Sequence, residues 1–323
     1  TVPKNNKCIE MNNLPLVTIG VPAYKAQFLA EALESLVNQT YANIKLLVVD
    51  DCSPEDLNAV VERFRTGHKI EYVRNEINLG GGDLCRNWNK CLELAQGEFF
   101  ILAADDDVYD TRFVELMVEL TVQYPDADLF HSRISKINEQ GETLSYSEAC
   151  FPFETAAEFI HFRLERRRHQ QISDFMFRSQ KLKAAGGFVS FPCGWHSDDA
   201  TTFILSLNGV AWRPEVLFHW RTSDVNLSSR KDLALEKIKG SFQFLDWMGN
   251  LLPKLTPHSA VDTLFLASIK RNANESILRQ VNMDLAIGGV GALVRFIIMK
   301  KPRGVSARFY FKLALAKLRR LVR

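Results

Sequence analysis

The sequence predicts an α/β fold in which helices flank a mostly parallel central sheet. Two observations carry this prediction. Four short apolar runs, at residues 16–21, 44–49, 70–73 and 99–102, alternate with segments whose apolar residues recur at helical spacing. Polar residues follow several of these runs. In β-α-β units the carboxyl ends of the strands share one edge, so Asp50, Asp51, Asn75 and residues 105–107 should converge there.

The remaining elements follow in chain order. Leu29, Leu33 and Leu36 share a helical face after the first strand, and residues 57–64 and 88–95 repeat this pattern. Beyond Pro125 the alternation stops. The later predicted elements are a hairpin at 128–137 with a turn at 138–141, a helix at 151–168, a strand at 172–177, helices at 180–185 and 202–207, strands at 210–212 and 216–220, and helices at 233–251, 259–279, 285–299 and 305–322.

The composition is that of an ordinary globular chain. Of 323 residues, 46% are hydrophobic and 24% charged, and the net charge of +2 indicates no general affinity for nucleic acid. Six cysteines form no CxxC pair, which predicts free thiols in a reducing compartment. Residues 1–13 lack the apolar core of a signal peptide, and Arg295 interrupts the longest apolar stretch. We therefore expect a cytoplasmic protein.

Three adjacent carboxylates, Asp105, Asp106 and Asp107, follow the fourth apolar run. Ligands of open α/β sheets bind beyond the carboxyl ends of the strands. Adjacent carboxylates repel one another and favour a neutralising cation, and Mg²⁺ takes oxygen ligands that it shares with substrate phosphates. The alternative is a solvated turn that caps the following helix.

Five stretches of the chain, in order, resemble the inverting family 2 glycosyltransferases with a GT-A fold. They are TIGVPAY at 18–24, LVNQTY at 36–41, VVDDCS at 48–53, the segment 74–80 with Arg-Asn and Asn-Leu-Gly, and LAADDD at 102–107. The resemblance implies a nucleotide-sugar donor, usually a UDP-sugar, and a divalent metal, Mg²⁺ or Mn²⁺. It also implies a catalytic domain at 14–228, after a polar segment at 1–13 and before a helical extension at 229–323.

The expected donor-binding residues lie at the ends of the first strands. Pro22, Ala23 and Tyr24 offer a backbone edge and an aromatic face to the base and ribose. Asp51 is the candidate to accept the uracil N–H, and Asp50 to support the loop or touch the ribose. The alternative is that this acid pair caps the next helix.

Further donor candidates are Arg74, Asn78, Gly80, Arg86 and Asp105. Glycine permits close backbone approach or a positive φ, and no GKS follows the glycines, which excludes a nucleotide-hydrolase phosphate loop. The two arginines have an alternative as solvated surface residues.

The family writes its metal motif as Asp-x-Asp-Asp, and Ala104 occupies the first position here. The resemblance therefore assigns the metal first to Asp106, with Asp105 and Asp107 beside it. The metal would neutralise charge on the departing diphosphate. From a later motif, His219 is a candidate to complete the metal shell and Arg221 to clamp phosphate oxygens; a single His on a strand is also a common structural residue.

Inversion needs a carboxylate that deprotonates the acceptor hydroxyl. The family places its base in an acidic pair before a helix, about a hundred residues beyond the metal site. Asp198 and Asp199 match this description, and the family pattern favours Asp199, with Asp198 second. The alternative for Asp198 is a helix cap. Trp195 is the candidate to stack on the acceptor sugar, or else a core residue.

The last predicted helix is amphipathic and basic. From residue 305, Tyr310, Leu315 and Leu318 share one side, whereas Arg308 and Lys312 lie largely opposite. Such a helix suits an anionic membrane surface, which would place the protein peripherally on the inner face of the plasma membrane. The equal alternative is a helix that packs on the catalytic domain and leaves its cations in water.

Together these features predict a glycosyltransferase that moves a sugar from a nucleotide donor to a saccharide or lipid-linked saccharide acceptor in surface polysaccharide biosynthesis. One alternative is a sugar-nucleotide nucleotidyltransferase, which needs a basic glycine-rich signature after the first strand, where this chain has VPAYK. The other is a non-catalytic sugar-binding relative, which would not require both acid clusters. The motifs specify neither the donor sugar nor the acceptor, linkage or oligomeric state.

Overall fold

The computed structural model of the protein describes residues 14–67, 69–223 and 230–298. The first half is a run of β-α units, as the alternating pattern predicts. Its elements are β1 (Val17–Ala23), α1 (Leu29–Val37), β2 (Ile44–Asp50), α2 (Leu57–Arg65), β3 (Ile70–Arg74), α3 (Leu84–Leu94), β4 (Phe99–Leu102), β5 (Val108–Tyr109) and α4 (Phe113–Gln123).

The second half combines short strands with helices, and the predicted hairpin is present as β6 and β7. Its elements are β6 (Leu129–Ile137), β7 (Thr143–Tyr146), β8 (Phe153–Glu154), α5 (Ala156–Leu164), β9 (Met176–Arg178), α6 (Ser179–Ala184), α7 (Ser197–Leu205), β10 (Val210–Arg221), α8 (Ala234–Leu251) and α9 (Ala260–Ile298).

The ten strands in the described part of the chain belong to one sheet, in the order β3-β2-β1-β4-β9-β6-β10-β5, with β7 beside β6 and β8 beside β10. Strands β3, β2, β1 and β4 are parallel, as predicted. The other half is mixed: β5 follows β4 after a short turn and runs antiparallel to β10, and β9 runs antiparallel to both β4 and β6. The α/β fold with flanking and C-terminal helices is confirmed.

Several predicted bounds were wrong. The helix predicted at 151–168 is only α5, since Thr155 begins it with a capping box that Glu158 completes, and β8 precedes it. The strands predicted at 210–212 and 216–220 are one strand, β10, whose register shifts near Pro214. The helices predicted at 259–279 and 285–299 join into α9, which is kinked at Gly289. The helix predicted at 305–322 lies outside the described residues.

Apolar layers cover both faces of the sheet. Helices α1, α2 and α4 supply one layer. Helices α3, α5, α7, α8 and α9 supply the other, through residues that include Leu92, Phe159, Phe203, Phe244 and Ile269. Burial of each such side chain contributes ~1.5–3 kcal/mol. The C-terminal helices therefore share a core with the helices that carry the site.

Two further features concern the protein's surroundings. Within the described part of the chain, the five cysteines are free, as their spacing predicts. Among the same residues, none of the helices combines the length and the apolar character that a bilayer crossing requires.

Candidate active site

The carboxyl ends of β1, β2 and β4 meet at one edge of the sheet, as the strand pattern predicts. The N–H of Asp51 donates to the carbonyl of Ala23 (2.9 Å). The N–H groups of Tyr24 and Lys25 donate to Asp105 Oδ2 (2.8 and 3.0 Å). The acids that follow β2 and β4 are therefore both anchored to the end of β1.

A cleft of about 630 Å³ opens at this edge. This volume is within the range of small-molecule sites. Six of the predicted donor residues line it: Pro22, Tyr24, Asp51, Asn78, Gly80 and Asp105. The start of the helical extension also reaches the cleft, through Arg230, Leu233 and Glu236. These three residues, together with Lys25 and Ser173 in the lining, were not identified from the sequence.

Asp51 holds the glycine loop that forms one wall of the cleft. Its carboxylate accepts hydrogen bonds from the N–H groups of Leu79 (2.8 Å) and Gly80 (2.7 Å) and from the side-chain amide of Asn75 (2.8 Å). A Cβ at position 80 would lie 2.8 Å from Asp51 Oδ2, whereas a Cβ at Gly82 would meet nothing within 4 Å. The close approach of loop and carboxylate therefore requires glycine at 80.

Asp50 lies behind the cleft and is fully buried. Its carboxylate accepts hydrogen bonds from the N–H of Ser53 (2.8 Å), the hydroxyl of Tyr72 and the guanidinium of Arg74. Arg74 also donates to the carbonyl of Ser53 (2.8 Å). Asp50 and Arg74 thus organise the loop after β2. Arg86 is exposed on α3.

The three acids after β4 do not share one environment. Asp105 accepts its bonds from the end of β1, whereas Asp107 is buried and accepts one from the N–H of Arg221 (2.9 Å). Burial and the charge of Asp105 raise the pKa of Asp106 to about 6. Burial and the charge of Asp106 raise the pKa of Asp107 well above its usual value. A cation close to these carboxylates would relieve both effects.

The fit of a metal ion to this cluster follows from its donors. In the described ranges, no group of three or more His, Cys, Asp or Glu side chains converges as a ready-made metal site. Carboxylate oxygens are nevertheless the ligands that Mg²⁺ and Mn²⁺ prefer, and Mg²⁺ usually takes only one or two from the protein. The residues present therefore fit a metal ion that completes its shell with substrate oxygens and water.

Strand β10 brings His219 beside the acid cluster. Val108, the residue after Asp107, pairs with His219 across the β5–β10 ladder. His219 Nδ1 lies 2.6 Å from Ser135 Oγ, and burial lowers the pKa of His219, which favours the neutral imidazole. With Nδ1 held by the hydroxyl, Nε2 is the nitrogen left for a further ligand.

Arg221 is buried, and its donors are directed at protein oxygens. Nε donates to the carbonyl of Asp106 (2.9 Å), Nη1 to that of Glu139 (2.8 Å) and Nη2 to the carboxylate of Glu31 (2.6 Å). The guanidinium also lies 4.4 Å from the ring centroid of Phe28. These contacts favour a structural role, in which Arg221 holds the acid loop, over the predicted phosphate clamp.

Asp199, in the first turn of α7, is enclosed by donors. Oδ1 accepts hydrogen bonds from Arg163 Nε (2.6 Å) and Gln170 Nε2 (3.0 Å), and Oδ2 lies 2.9 Å from His196 Nδ1. Burial opposes ionisation, but the charge of Arg163 and the hydrogen bond from His196 outweigh it and hold the pKa of Asp199 well below its usual range. A carboxylate so held is a poor proton acceptor.

Asp198 has the opposite character. Its side chain is 26% exposed, and the nearest cation, Arg163 Nη2, is 4.0 Å from Oδ2. Burial and the charge of Asp199 raise the pKa of Asp198 to about 6. Neither acid is among the residues that line the cleft. Of the two, Asp198 has the more exposed side chain and the fewer hydrogen-bond donors around it.

Trp195 packs against α8. Lys237 Nζ lies 4.8 Å from the centroid of its ring. A Cβ at Gly240 would lie 3.1 Å from Trp195 Cβ, so the helix passes very close to this residue. These contacts favour a packing role for Trp195 over the predicted stacking on an acceptor sugar.

Residues 18–183, just over half of the chain, match the sequence profile described as Glycosyl transferase family 2. The chain belongs to this family. It is 38% identical over 100 residues to a putative colanic acid biosynthesis glycosyl transferase, WcaA, of Escherichia coli, and 29% identical over 115 residues to glycosyltransferase GlyG of Streptococcus pneumoniae. These segments cover 30% and 35% of the chain but only 34% and 37% of the two relatives. Membership confirms the family that the sequence motifs predict.

Solved structures share the fold. The 1–349 fragment of S. aureus TarS in complex with UDP-GlcNAc superposes with a TM-score of 0.65 at 18% identity, over 87% of this chain and 80% of that one. A mannosyltransferase from Pyrobaculum calidifontis, in complex with GDP-Man and Mn²⁺, gives 0.51 at 17% identity, over 96% and 81%. This likeness confirms the GT-A fold.

Proposed function

We propose that the chain transfers a sugar from a nucleotide-diphosphate donor to an acceptor hydroxyl, with inversion, and that Asp198 is the general base. The single observation that carries this proposal is the asymmetry of the acid pair near the cleft. Asp199 accepts hydrogen bonds from Arg163 and Gln170, whereas the side chain of Asp198 is 26% exposed and its pKa is raised to about 6. A base is most effective when its pKa lies near the working pH.

The donor would occupy the cleft with its nucleotide at the end of β1. Tyr24 is 39% exposed there and offers an aromatic face to the base. Asp51 and the glycine loop form the adjacent wall. The S. aureus structures contain UDP and UDP-GlcNAc, which supports a UDP-sugar as the donor. The P. calidifontis structure contains GDP-Man, so a GDP-sugar is the competing donor class.

A divalent metal, when bound, would supply positive charge for the departing diphosphate. Asp106 is our first candidate to hold it. Asp105 lines the cleft, and Asp107 follows Asp106 in the chain. His219 would contribute Nε2, because Nδ1 is held by the hydroxyl of Ser135. The Mn²⁺ named for the P. calidifontis structure supports this assignment.

The chemical step follows from the base. The acceptor O–H donates to the Asp198 carboxylate and its proton passes to that oxygen as the acceptor oxygen attacks the anomeric carbon. The bond from this carbon to the phosphate oxygen breaks, and its electron pair leaves with the diphosphate. Attack from the face opposite the leaving group inverts the configuration.

The acceptor would approach across β7 and the loop that follows it. Tyr146 is 58% exposed there, and Glu148 lies 3.9 Å from His169 Nδ1. The charge of Glu148 also acts on Arg163, which contacts Asp198. An exposed aromatic ring and polar side chains on this surface suit a saccharide. The role named for the E. coli relative supports an acceptor in surface polysaccharide biosynthesis, free or lipid-linked.

A cytoplasmic location with peripheral membrane contact belongs to the same proposal. Its candidate surface, the basic helix at 305–323, lies outside the described residues. Deletion of this segment should weaken sedimentation with anionic liposomes, as should added salt, because each cation near such a surface is worth about 1 kcal/mol and is screened by ions. Equal sedimentation of the full and shortened chains would remove the membrane proposal.

The decisive experiment is release of UDP from a panel of UDP-sugars with Mn²⁺, in the presence and absence of saccharide acceptors. We expect turnover by the wild type and a loss of about 10² to 10⁴ in Asp198→Asn. Pyrophosphate release from UTP and a sugar 1-phosphate would instead identify a nucleotidyltransferase. Donor binding without turnover across the panel would indicate a non-catalytic sugar-binding relative.

A further inference from the structure

A line of buried hydrogen bonds runs from the acid pair into the helical extension. His196 Nδ1 lies 2.9 Å from Asp199 Oδ2, and Nε2 lies 3.1 Å from Ser241 Oγ on α8. The imidazole also stacks on Phe244, with 4.6 Å between ring centroids and 5° between planes. Both ring nitrogens are therefore held, and one tautomer, with Nδ1 protonated, satisfies both contacts.

The order of atoms is that of a Ser-His-Asp triad, but the surroundings exclude a nucleophile. Ser241 has no exposed surface, and Phe244 covers one face of the imidazole. A triad serine must reach a substrate carbonyl beside an oxyanion hole. A buried hydroxyl cannot do so, which leaves a positional role for the line.

The backbone before α7 supports that role. His196 and Cys193 adopt φ values of 66° and 50°, in the left-handed region. Such conformations in residues other than glycine cost on the order of 1–3 kcal/mol and persist only where the surroundings impose them. Within this turn, His196 contacts Ser241 and Phe244 of α8.

We propose that His196 is a positioning residue that ties Asp199 to α8, so that the C-terminal helices set the orientation of the base Asp198. With both oxygens of Asp199 fixed, the first turn of α7 is held, and with it the backbone of the preceding residue, Asp198. Helix α5 contributes Arg163 to the same carboxylate. The role of Asp198 in this inference rests on the proposed function. The coupling of His196 to Asp199 does not, because it can be measured as a change in the pKa of Asp199.

The charged groups around this line come from four elements. Arg163 of α5 faces both acids, and Asp198 is their neighbour on α7. Lys237 lies on α8, the helix that also carries Ser241, and its charge acts on Asp284 of α9. A substitution at His196 therefore changes the surroundings of Asp199 while Arg163, Asp198, Lys237 and Asp284 are still present.

The test uses the full chain and four variants. His196→Ala removes both hydrogen bonds. His196→Asn retains an amide at the place of Nδ1, and asparagine tolerates the left-handed region. Ser241→Ala removes only the link to α8. The matched control is Ser206→Ala, since Ser206 is equally buried and its hydroxyl donates to the carbonyl of Phe203 (2.8 Å), away from the acids.

Two measurements are made on each variant: carboxyl ¹³C titration of Asp199, and kcat with KM for the donor. We expect His196→Ala to raise the pKa of Asp199 and to lower kcat by as much as 10², with little change in KM, because displacement of a catalytic group acts on turnover. His196→Asn should restore the titration of Asp199. Ser241→Ala should lower kcat by several-fold, and Ser206→Ala should leave kcat unchanged.

Three results would overturn the inference. The first is an unchanged Asp199 titration in His196→Ala. The second is equal loss of kcat in Ser241→Ala and Ser206→Ala. The third is a loss confined to donor KM. If the wild type transfers no sugar, the proposed function fails. The titration of Asp199 still decides whether His196 is coupled to Asp199. If His196→Ala does not fold, the Asn and Ser241 variants carry the test.

Discussion

The pH dependence of transfer is the most specific consequence of the acid pair. A base must be ionised to accept a proton, and burial together with the charge of Asp199 raises the pKa of Asp198 to about 6. Because its pKa is raised, Asp198 should become protonated, and activity should be lost, at a higher pH than for an ordinary carboxyl. With this value, ~91% of the carboxyl is ionised at pH 7 and ~9% at pH 5, a tenfold difference. A carboxyl with an ordinary pKa would lose less than about a tenth over the same interval.

The assay is kcat/KM for the acceptor between pH 5 and pH 8, because this ratio reports the ionisation of the free enzyme. UDP affinity with Mn²⁺ is measured over the same range as a control, since Asp106 also has a raised pKa. Asp198→Asn should abolish the acidic limb together with most activity. Asp199→Asn, if the protein folds, should keep the limb but move it to lower pH, because the charge of Asp199 helps to raise the pKa of Asp198.

Two results would refute this reasoning. A flat profile down to pH 5 would show that no group with a raised pKa acts as base. If the loss of activity at acidic pH persists in Asp198→Asn but disappears in Asp199→Asn, the general base is Asp199, the residue that the family pattern favours.

Further predictions concern the donor site. Gly80→Ala should weaken UDP binding at least tenfold, because the added Cβ would lie 2.8 Å from Asp51 Oδ2. The control is Gly82→Ala, whose Cβ would meet open space and which should bind UDP like the wild type in calorimetry. Equal UDP affinities of the two variants would contradict the role of the loop. Asp106→Ala should abolish the Mn²⁺-dependent part of UDP affinity without loss of fold, and an unchanged metal effect would move the ligand elsewhere. Arg221→Met should lower the free energy of unfolding by ~1–3 kcal/mol, since the carbonyls of Asp106 and Glu139 and the exposed carboxylate of Glu31 lose a charged donor; a fully stable variant with weak UDP binding would restore the phosphate clamp.

The edge of the sheet was predictable because its signal is local. Each of the first strands is a short apolar run, and the residues directly after it, such as Asp51 and Asp105, are placed by the run itself. Parallel connectivity then brings these residues together without any knowledge of side-chain contacts. The same logic explains why six of the predicted donor residues line the cleft.

The assignment within the acid pair could not be predicted, because it depends on distant partners. Asp199 is locked by Arg163 and Gln170, which lie on α5 and in the loop after it. No spacing rule links those positions to an acidic pair before a helix. Without them, Asp198 and Asp199 are equivalent neighbours, and the family pattern pointed to the one that the structure encloses.

Arg221 and β10 illustrate two other limits. The motif around Arg221 resembles a donor segment, but Glu31 and Glu139, which receive its hydrogen bonds, come from remote parts of the chain. The strands predicted at 210–212 and 216–220 are one strand, β10, with Pro214 inside it. The strand accommodates the proline with a register shift, because its partner β6 continues on the other side.

The central claim is that the cleft at the carboxyl ends of β1, β2 and β4 binds a nucleotide diphosphate together with a metal ion. Isothermal titration of UDP into the full-length chain, with and without Mn²⁺, tests it most directly. We predict one site per chain with affinity that rises at least tenfold with Mn²⁺, and loss of this heat in Gly80→Ala. Absence of UDP binding under both conditions, with GDP bound instead, would contradict the choice of donor; absence of binding by either nucleotide would contradict the site.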